Sequence, residues 1–172
     1  MKICADGFCF DFPDAIDAFI FDEIDNKSPN FHGVPMKAVD IIAEFNDSYI
    51  FVEMKNYGDS SDYDFTTATG EHETNERKDH FKWLKNYLKY KYRDSYLFRH
   101  AEEKVDKPIH YICLLTFDNA INTLMQKALR KELPVGKASK RWQKAIAASC
   151  QVVNVDRWNL NFPRWPIKQI TT

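Results

Sequence analysis

The chain of 172 residues has the length of one ordinary domain. With 44% hydrophobic and 28% charged residues, five Gly and seven Pro, it reads as a globular chain and not as a collagen-like or low-complexity one. It has no apolar run of about 18 residues, so no membrane span is expected. Its start, MKICADGFCFDF, has neither the basic lead nor the apolar stretch of a signal peptide, so a reducing, cytoplasmic setting is expected.

Cys4, Cys9, Cys113 and Cys150 are scattered and form no C-x-x-C pair, which argues against structural zinc. They read as free, mostly buried thiols, with Cys4 and Cys9 near enough to pair under oxidation. His32, His72, His80, His100 and His110 show no zincin spacing.

Charge is segregated along the chain. Residues 1–76 hold 17 acidic and 4 basic side chains, whereas residues 77–144 hold 17 basic and 7 acidic ones. Two meanings stay open. The halves attract each other in the fold, or an acidic, cation-collecting region lies beside a basic, phosphate-collecting one.

In chain order, Asp11 to Asp25 is expected to be a first helix, capped by Asp11 and with Phe12, Ile16, Phe19 and Ile20 on one stripe. Asn26 to Gly33 is a loop. Lys37 to Phe45 and Tyr49 to Asn56 read as strands joined by a tight turn near Asn46-Asp47. Tyr57 to Gly70 is a polar loop. Glu71 to about Phe98 is a long helix, with Phe81, Trp83, Leu84, Tyr87, Leu88 and Tyr90 covering half its circumference. Pro108 to Phe117 is a central strand and Asn119 to Leu133 a helix ended by Pro134. Lys137 to Ser149 is a further helix and Cys150 to Val155 a strand, and the tail packs across an edge. The order predicts one mixed α/β domain, residues 1–172, around one sheet.

The segment VDIIAEFNDSYIFVEMKNY carries the chemistry. Asp40 interrupts the first strand, and Glu53 and Lys55 interrupt the second. Strand alternation puts Glu53 and Lys55 on one face. A two-residue turn at Asn46-Asp47 sets Asp40 directly opposite Glu53. A turn at Asp47-Ser48 sets it opposite Lys55. A three-residue turn sends it to the wrong face, opposite Met54. Two carboxylates about 5 Å apart repel unless a cation lies between them. Hard oxygens suit Mg²⁺ or Mn²⁺. Such an ion acidifies bound water and neutralises a phosphoryl oxygen, while a nearby lysine orients water or stabilises the transition state.

This pattern resembles the PD-(D/E)xK phosphodiesterase superfamily, the restriction-endonuclease-like fold. Val39-Asp40 matches the PD element with Val in place of Pro, and Glu53-Met54-Lys55 matches the (D/E)xK element. The resemblance covers residues 11–117. It implies an α-β-β-β-α-β core, a mixed central sheet flanked by helices. Only two strands are read before the long helix, so a third is sought in residues 57–70 or 34–38. The resemblance also implies that Asp40 and Glu53, helped by the Met54 carbonyl, bind the metal, and that Lys55 is the catalytic lysine.

Glu23 falls on the apolar stripe of the expected first helix, where a carboxylate needs a partner or a cation. Asp17 and Asp22 fall off that stripe. Family members often carry an acidic residue there that reaches the metal, and Glu23 is the candidate. On the long helix Lys78, Lys82, Lys85, Lys89 and Arg93 form a narrow basic stripe. Such a row is either a solvated face or a set of phosphate contacts, with Lys78 and Lys82 nearest the expected site. Trp83, Tyr87 and Tyr90 either stack bases or belong to the core. The implied activity is a divalent-metal-dependent nuclease acting on DNA, alone, as a homodimer or in a larger nuclease complex. The alternatives are an inactive module of the same fold and a plain interaction protein whose charged groups form a salt-bridge cluster.

Overall fold

The structure, a computed structural model, describes residues 1–33, 35–57, 75–137 and 139–170, with residues 75–79 described by backbone alone. The expected polar loop beyond Tyr57 and the first residues of the expected long helix lie outside the described residues.

The chain opens with a hairpin, β1 (Lys2–Ala5) and β2 (Phe8–Asp11). Its turn is Asp6-Gly7, both at positive φ (49° and 80°), the backbone that a two-residue hairpin of this twist demands. The register brings Cys4 opposite Cys9, and the two are joined as a disulfide. The expectation of four free thiols is corrected there, and Cys113 and Cys150 are the buried free cysteines.

The expected helix over Asp11 to Asp25 does not form. The segment holds β3 (Asp17–Ile20), which pairs antiparallel with β4 (Ile41–Glu44). Ile16, assigned to the apolar stripe, is half exposed, while Phe21 is buried and the Ile16 N–H donates to the Glu44 carbonyl. Pairing with β4 gives this stretch its backbone partners. β3 thus lies before the two strands read from sequence, and residues 35–38 hold no strand.

β4 continues through the Asn46-Asp47 turn into β5 (Tyr49–Lys55). The helix α1 (Asn75–Ala101) then crosses to β6 (Ile109–Leu115), which lies parallel to β5. α2 (Asn119–Glu132) is capped by the Asp118 carboxylate on the Ile121 N–H, and leads to β7 (Ser149–Val153), parallel to β6. The expected helix over Lys137 to Ser149 is absent among the described residues. Gly136 turns at φ 72°, Trp142 closes a turn on Ser139, and Val135 bridges to Ala147. The tail forms α3 (Val155–Asn161) and β8 (Ile167–Gln169), and β8 extends the β1–β2 hairpin.

The result is a mixed α/β arrangement with three helices among the described residues. The single sheet expected is corrected to two, a five-stranded sheet of order β3-β4-β5-β6-β7 beside a three-stranded sheet of order β1-β2-β8 that packs on one of its faces where helices alone were expected. The larger sheet buries both faces. On one, Ile42, Phe51, Tyr111 and Cys113 pack with Leu84, Leu88 and Tyr92 of α1 and Met125 and Leu129 of α2. On the other, Ile41, Val52, Ile112 and Leu114 pack with Phe8, Phe10 and Trp158. Double burial explains why β5 and β6 read as continuous apolar runs. Against that background a charged residue on β5 is costly unless it is paired.

Candidate functional site

The β4–β5 register decides the geometry. Ile41 pairs with Val52 and Glu44 with Tyr49, and the Phe45 N–H donates to the Ser48 carbonyl, closing a two-residue Asn46-Asp47 turn. Continued by one residue, this register sets Asp40 directly opposite Glu53. Either two-residue turn weighed from sequence keeps Asp40, Glu53 and Lys55 on one face, and the one that forms is Asn46-Asp47.

The segment before β4 is docked onto α1 by its own backbone. The Lys37 N–H donates to Asp94 and the Val39 N–H to the Ser95 hydroxyl, at 3.0 and 2.8 Å. Ser95 donates in turn to the Lys91 carbonyl. Asp40 is thereby held at a fixed height on the helix, and its Oδ2 accepts from the Met54 N–H at 2.5 Å. In this structure the Met54 backbone thus orients Asp40 through its N–H.

Glu53 is fully buried, and neither carboxylate oxygen has a hydrogen-bond partner. Burial first, and then the charge of Asp40, push its pKa well above the ordinary glutamate value. Burial also raises Asp40, against the pull of Lys91 and the Met54 N–H. Lys55 Nζ lies 3.8 Å from Glu53 Oε1 and 4.8 Å from the centre of the Tyr87 ring. Burial alone would lower its pKa. A hydrogen bond with Tyr87 and the charges of Glu53 and Asp40 reverse that and raise it, so Lys55 is a cation and not a neutral base.

No family model, curated protein or solved structure matches the chain.

Lys91, which sequence reasoning passed over, occupies the centre of the site. Its ammonium lies 2.7 Å from Asp22 Oδ2, 3.5 Å from Asp40 Oδ1 and 3.4 Å from Glu53 Oε2. Burial pulls its pKa down, but Glu53, Asp40 and Asp22 outweigh burial and raise it. Tyr87 lies over this group too, at 5.4 Å. A signal was present in the sequence, because Leu84, Leu88, Lys91 and Ser95 follow helical steps of 4, 3 and 4 along the buried stripe.

The third acidic residue at this cluster is Asp22, not Glu23. With no helix here, the stripe that selected Glu23 does not exist. The Glu23 carboxylate accepts from the Asp25 N–H at 3.0 Å. Among the described residues no group of three or more His, Cys, Asp or Glu side chains is spaced to hold a metal ion. The donors of Asp40 and Glu53 suit a hard divalent cation in kind, and among the described residues the oxygens of Glu53 are met only by the Lys55 and Lys91 ammoniums. The Lys91 ammonium stands where those oxygens converge.

The basic stripe of α1 divides. Lys82 is exposed. The side chain of Lys78 lies outside the described residues. Lys85 and Lys89 both pair with Glu132, at 2.7 and 3.3 Å, and Arg93 donates to the Glu132 carbonyl at 3.1 Å. Three of the five cations therefore fasten α1 to the end of α2. Trp83 and Tyr90, which could have been core, are 52% and 45% exposed. The Trp83 ring stacks on Tyr87 at 5.2 Å, so an exposed aromatic face leads directly to Lys55. No helix among the described residues is long and apolar enough to cross a membrane.

Proposed function

We propose that this protein is a divalent-metal-dependent phosphodiesterase of the PD-(D/E)xK kind, a nuclease with a restriction-endonuclease-like core that hydrolyses DNA. One observation carries the reading: the two-residue turn that sets Asp40 opposite Glu53, with Lys55 two residues further along the same face. The order β3-β4-β5-α1-β6 and the mixed sheet support it from the first strand of the implied core onward, although the helix expected before that strand does not form.

In this reading Asp40 and Glu53, with the Met54 carbonyl, hold Mg²⁺ or Mn²⁺. The ion, when bound, acidifies water and neutralises charge on a phosphoryl oxygen. Asp40 is kept in place by the Met54 N–H, and α1 keeps that strand end fixed through Asp94 and Ser95. Lys55, a half-buried cation, orients the attacking water or stabilises negative charge on the phosphoryl group. Lys82, the Lys78 position and the Trp83–Tyr87 face are the nearest candidates for holding the nucleic acid. Recognition surface beyond them would come from a homodimer or a larger nuclease complex. A cytoplasmic site of action belongs to the same proposal.

The test is cleavage of plasmid and single-stranded DNA by purified protein with Mg²⁺ or Mn²⁺, against Lys55→Ala and Glu53→Ala. The proposal expects metal-dependent cleavage that both substitutions remove. Cleavage equal in wild type and variants would take these residues out of the mechanism.

A second reading is a module of the same fold that binds nucleic acid or a protein without cleaving. The Lys91 ammonium between the carboxylates favours it. It predicts salt-sensitive DNA binding with no metal-dependent cleavage.

A further inference from the structure

Lys91 belongs to neither the two-carboxylate pattern nor its lysine, yet it is the best-connected charge at the site. It sits on the buried stripe of α1, with a side chain only 5% exposed. A lysine is tolerated there only if carboxylates surround it. The three contacts are unequal. Asp22 is within hydrogen-bond distance at 2.7 Å, whereas Asp40 and Glu53 stand off at 3.5 and 3.4 Å. Both Glu53 oxygens remain without a hydrogen bond although the residue is fully buried. The ammonium is therefore anchored at Asp22 and only centred between the other two.

An ammonium and a divalent ion compete for such a place. Both are attracted by the same oxygens, and two cations within a few ångströms repel. Mg²⁺ bound directly to carboxylate oxygens needs about 2.0–2.1 Å, closer than Lys91 comes to Asp40 or Glu53. The anchor also supplies a way out. The Asp22 side chain is 43% exposed, so a flexible four-carbon stem held there can swing its charge towards solvent without losing its partner.

Resting on the metal-site reading above, we infer that Lys91 is an internal counter-ion. It holds Asp40 and Glu53 together in the metal-free protein, and a divalent cation enters by displacing its ammonium towards Asp22. The site is then a guarded one. The metal must outcompete a resident positive charge, and removing that charge makes the metal bind more tightly.

The experiment is an Mn²⁺ titration of the full chain followed by electron paramagnetic resonance, comparing wild type, Lys91→Met, and Lys91→Met combined with Asp40→Asn. Lys91→Met is expected to bind Mn²⁺ about tenfold or more tightly than wild type, and the double variant to lose that gain. A second measurement needs no variant: lysine acetylation of wild type read by mass spectrometry. Lys91 is expected to resist acetylation without Mn²⁺ and to become reactive with it, while the half-exposed Lys104 reacts equally in both. The acetylation result decides if Lys91→Met does not fold. Equal Mn²⁺ affinity in wild type and Lys91→Met, or a Lys91 that stays protected once Mn²⁺ is bound, overturns the displacement and leaves the metal site standing. Absence of Mn²⁺ binding in every variant, together with absence of cleavage, overturns the metal site and this inference with it.

Discussion

Asp40 and Met54 are joined across the β4–β5 hairpin by one short hydrogen bond, the Met54 N–H donating to Asp40 Oδ2 at 2.5 Å. The bond is buried, so its loss leaves an N–H without a partner. Asp40→Ala should therefore destabilise the protein by about 1–3 kcal/mol. Asp40→Asn keeps an acceptor in the same place and should cost less, while removing the charge a metal would need. Thermal unfolding of both variants separates the structural task of Asp40 from its chemical one.

Lys55 is positioned by Tyr87, whose ring centre is 4.8 Å from its ammonium. If Lys55 acts on charge developing at the phosphoryl group, Lys55→Ala should lower kcat by about 10²–10³ with a smaller change in KM. Lys55→Arg should recover part of this, because the charge is kept and the geometry is not. Single-turnover cleavage of a labelled oligonucleotide measures both.

Glu53 makes a pH-dependent contribution with a definite sign. Its pKa is raised on folding by burial and by Asp40, so the folded protein holds this proton where the unfolded chain has released it. Stability is thus fully present below the ordinary value of 4.5 and is lost as pH rises towards the raised one. Each unit of separation corresponds to about 1.4 kcal/mol. Glu53→Gln should flatten this part of the profile, so that its Tm changes less between pH 4 and pH 8 than that of wild type. Calorimetric Tm values across that range test it.

The nucleic-acid face has two separable parts. Trp83 is exposed and stacked on Tyr87. Trp83→Ala should weaken single-stranded DNA binding by about 1–3 kcal/mol and leave the fold intact, as read by fluorescence anisotropy and circular dichroism. Glu132 ties up Lys85 and Lys89, so Glu132→Gln should free both and tighten DNA binding by roughly two- to fivefold at low salt. Unchanged affinity would mark the stripe as purely structural.

The sequence was most legible where a turn fixes a register. The alternation around a two-residue turn brings Asp40, Glu53 and Lys55 to one face with no tertiary information, and the register of β4 on β5 then selects Glu53 as the residue opposite Asp40. It was least legible in residues 11–25, because Phe12, Ile16, Phe19 and Ile20 satisfy a helical period while Phe19 and Phe21 also satisfy the strand period. The partner that decides between them, β4, lies more than twenty residues on. A helix there would turn Glu23 inward, whereas the strand and its exit bring Asp22 to Lys91. The Asp6-Gly7 dipeptide between Ile3, Ala5, Phe8 and Phe10 was a strong hairpin signal that the chain order needed. Lys91 was hidden among the charges of α1, although its place on the stripe of Leu84 and Leu88 marks it as buried. The basic side chains beside it are committed to Glu132, a pairing that periodicity alone does not reveal.

The most direct measurement is a crystal structure of the protein grown with Mn²⁺, phased by the anomalous signal of the ion. The expected result is a peak bound by both Asp40 and Glu53, with the Lys91 ammonium turned towards Asp22. An Mn²⁺-saturated crystal with no peak there, and Lys91 still seated between the two carboxylates, would contradict it.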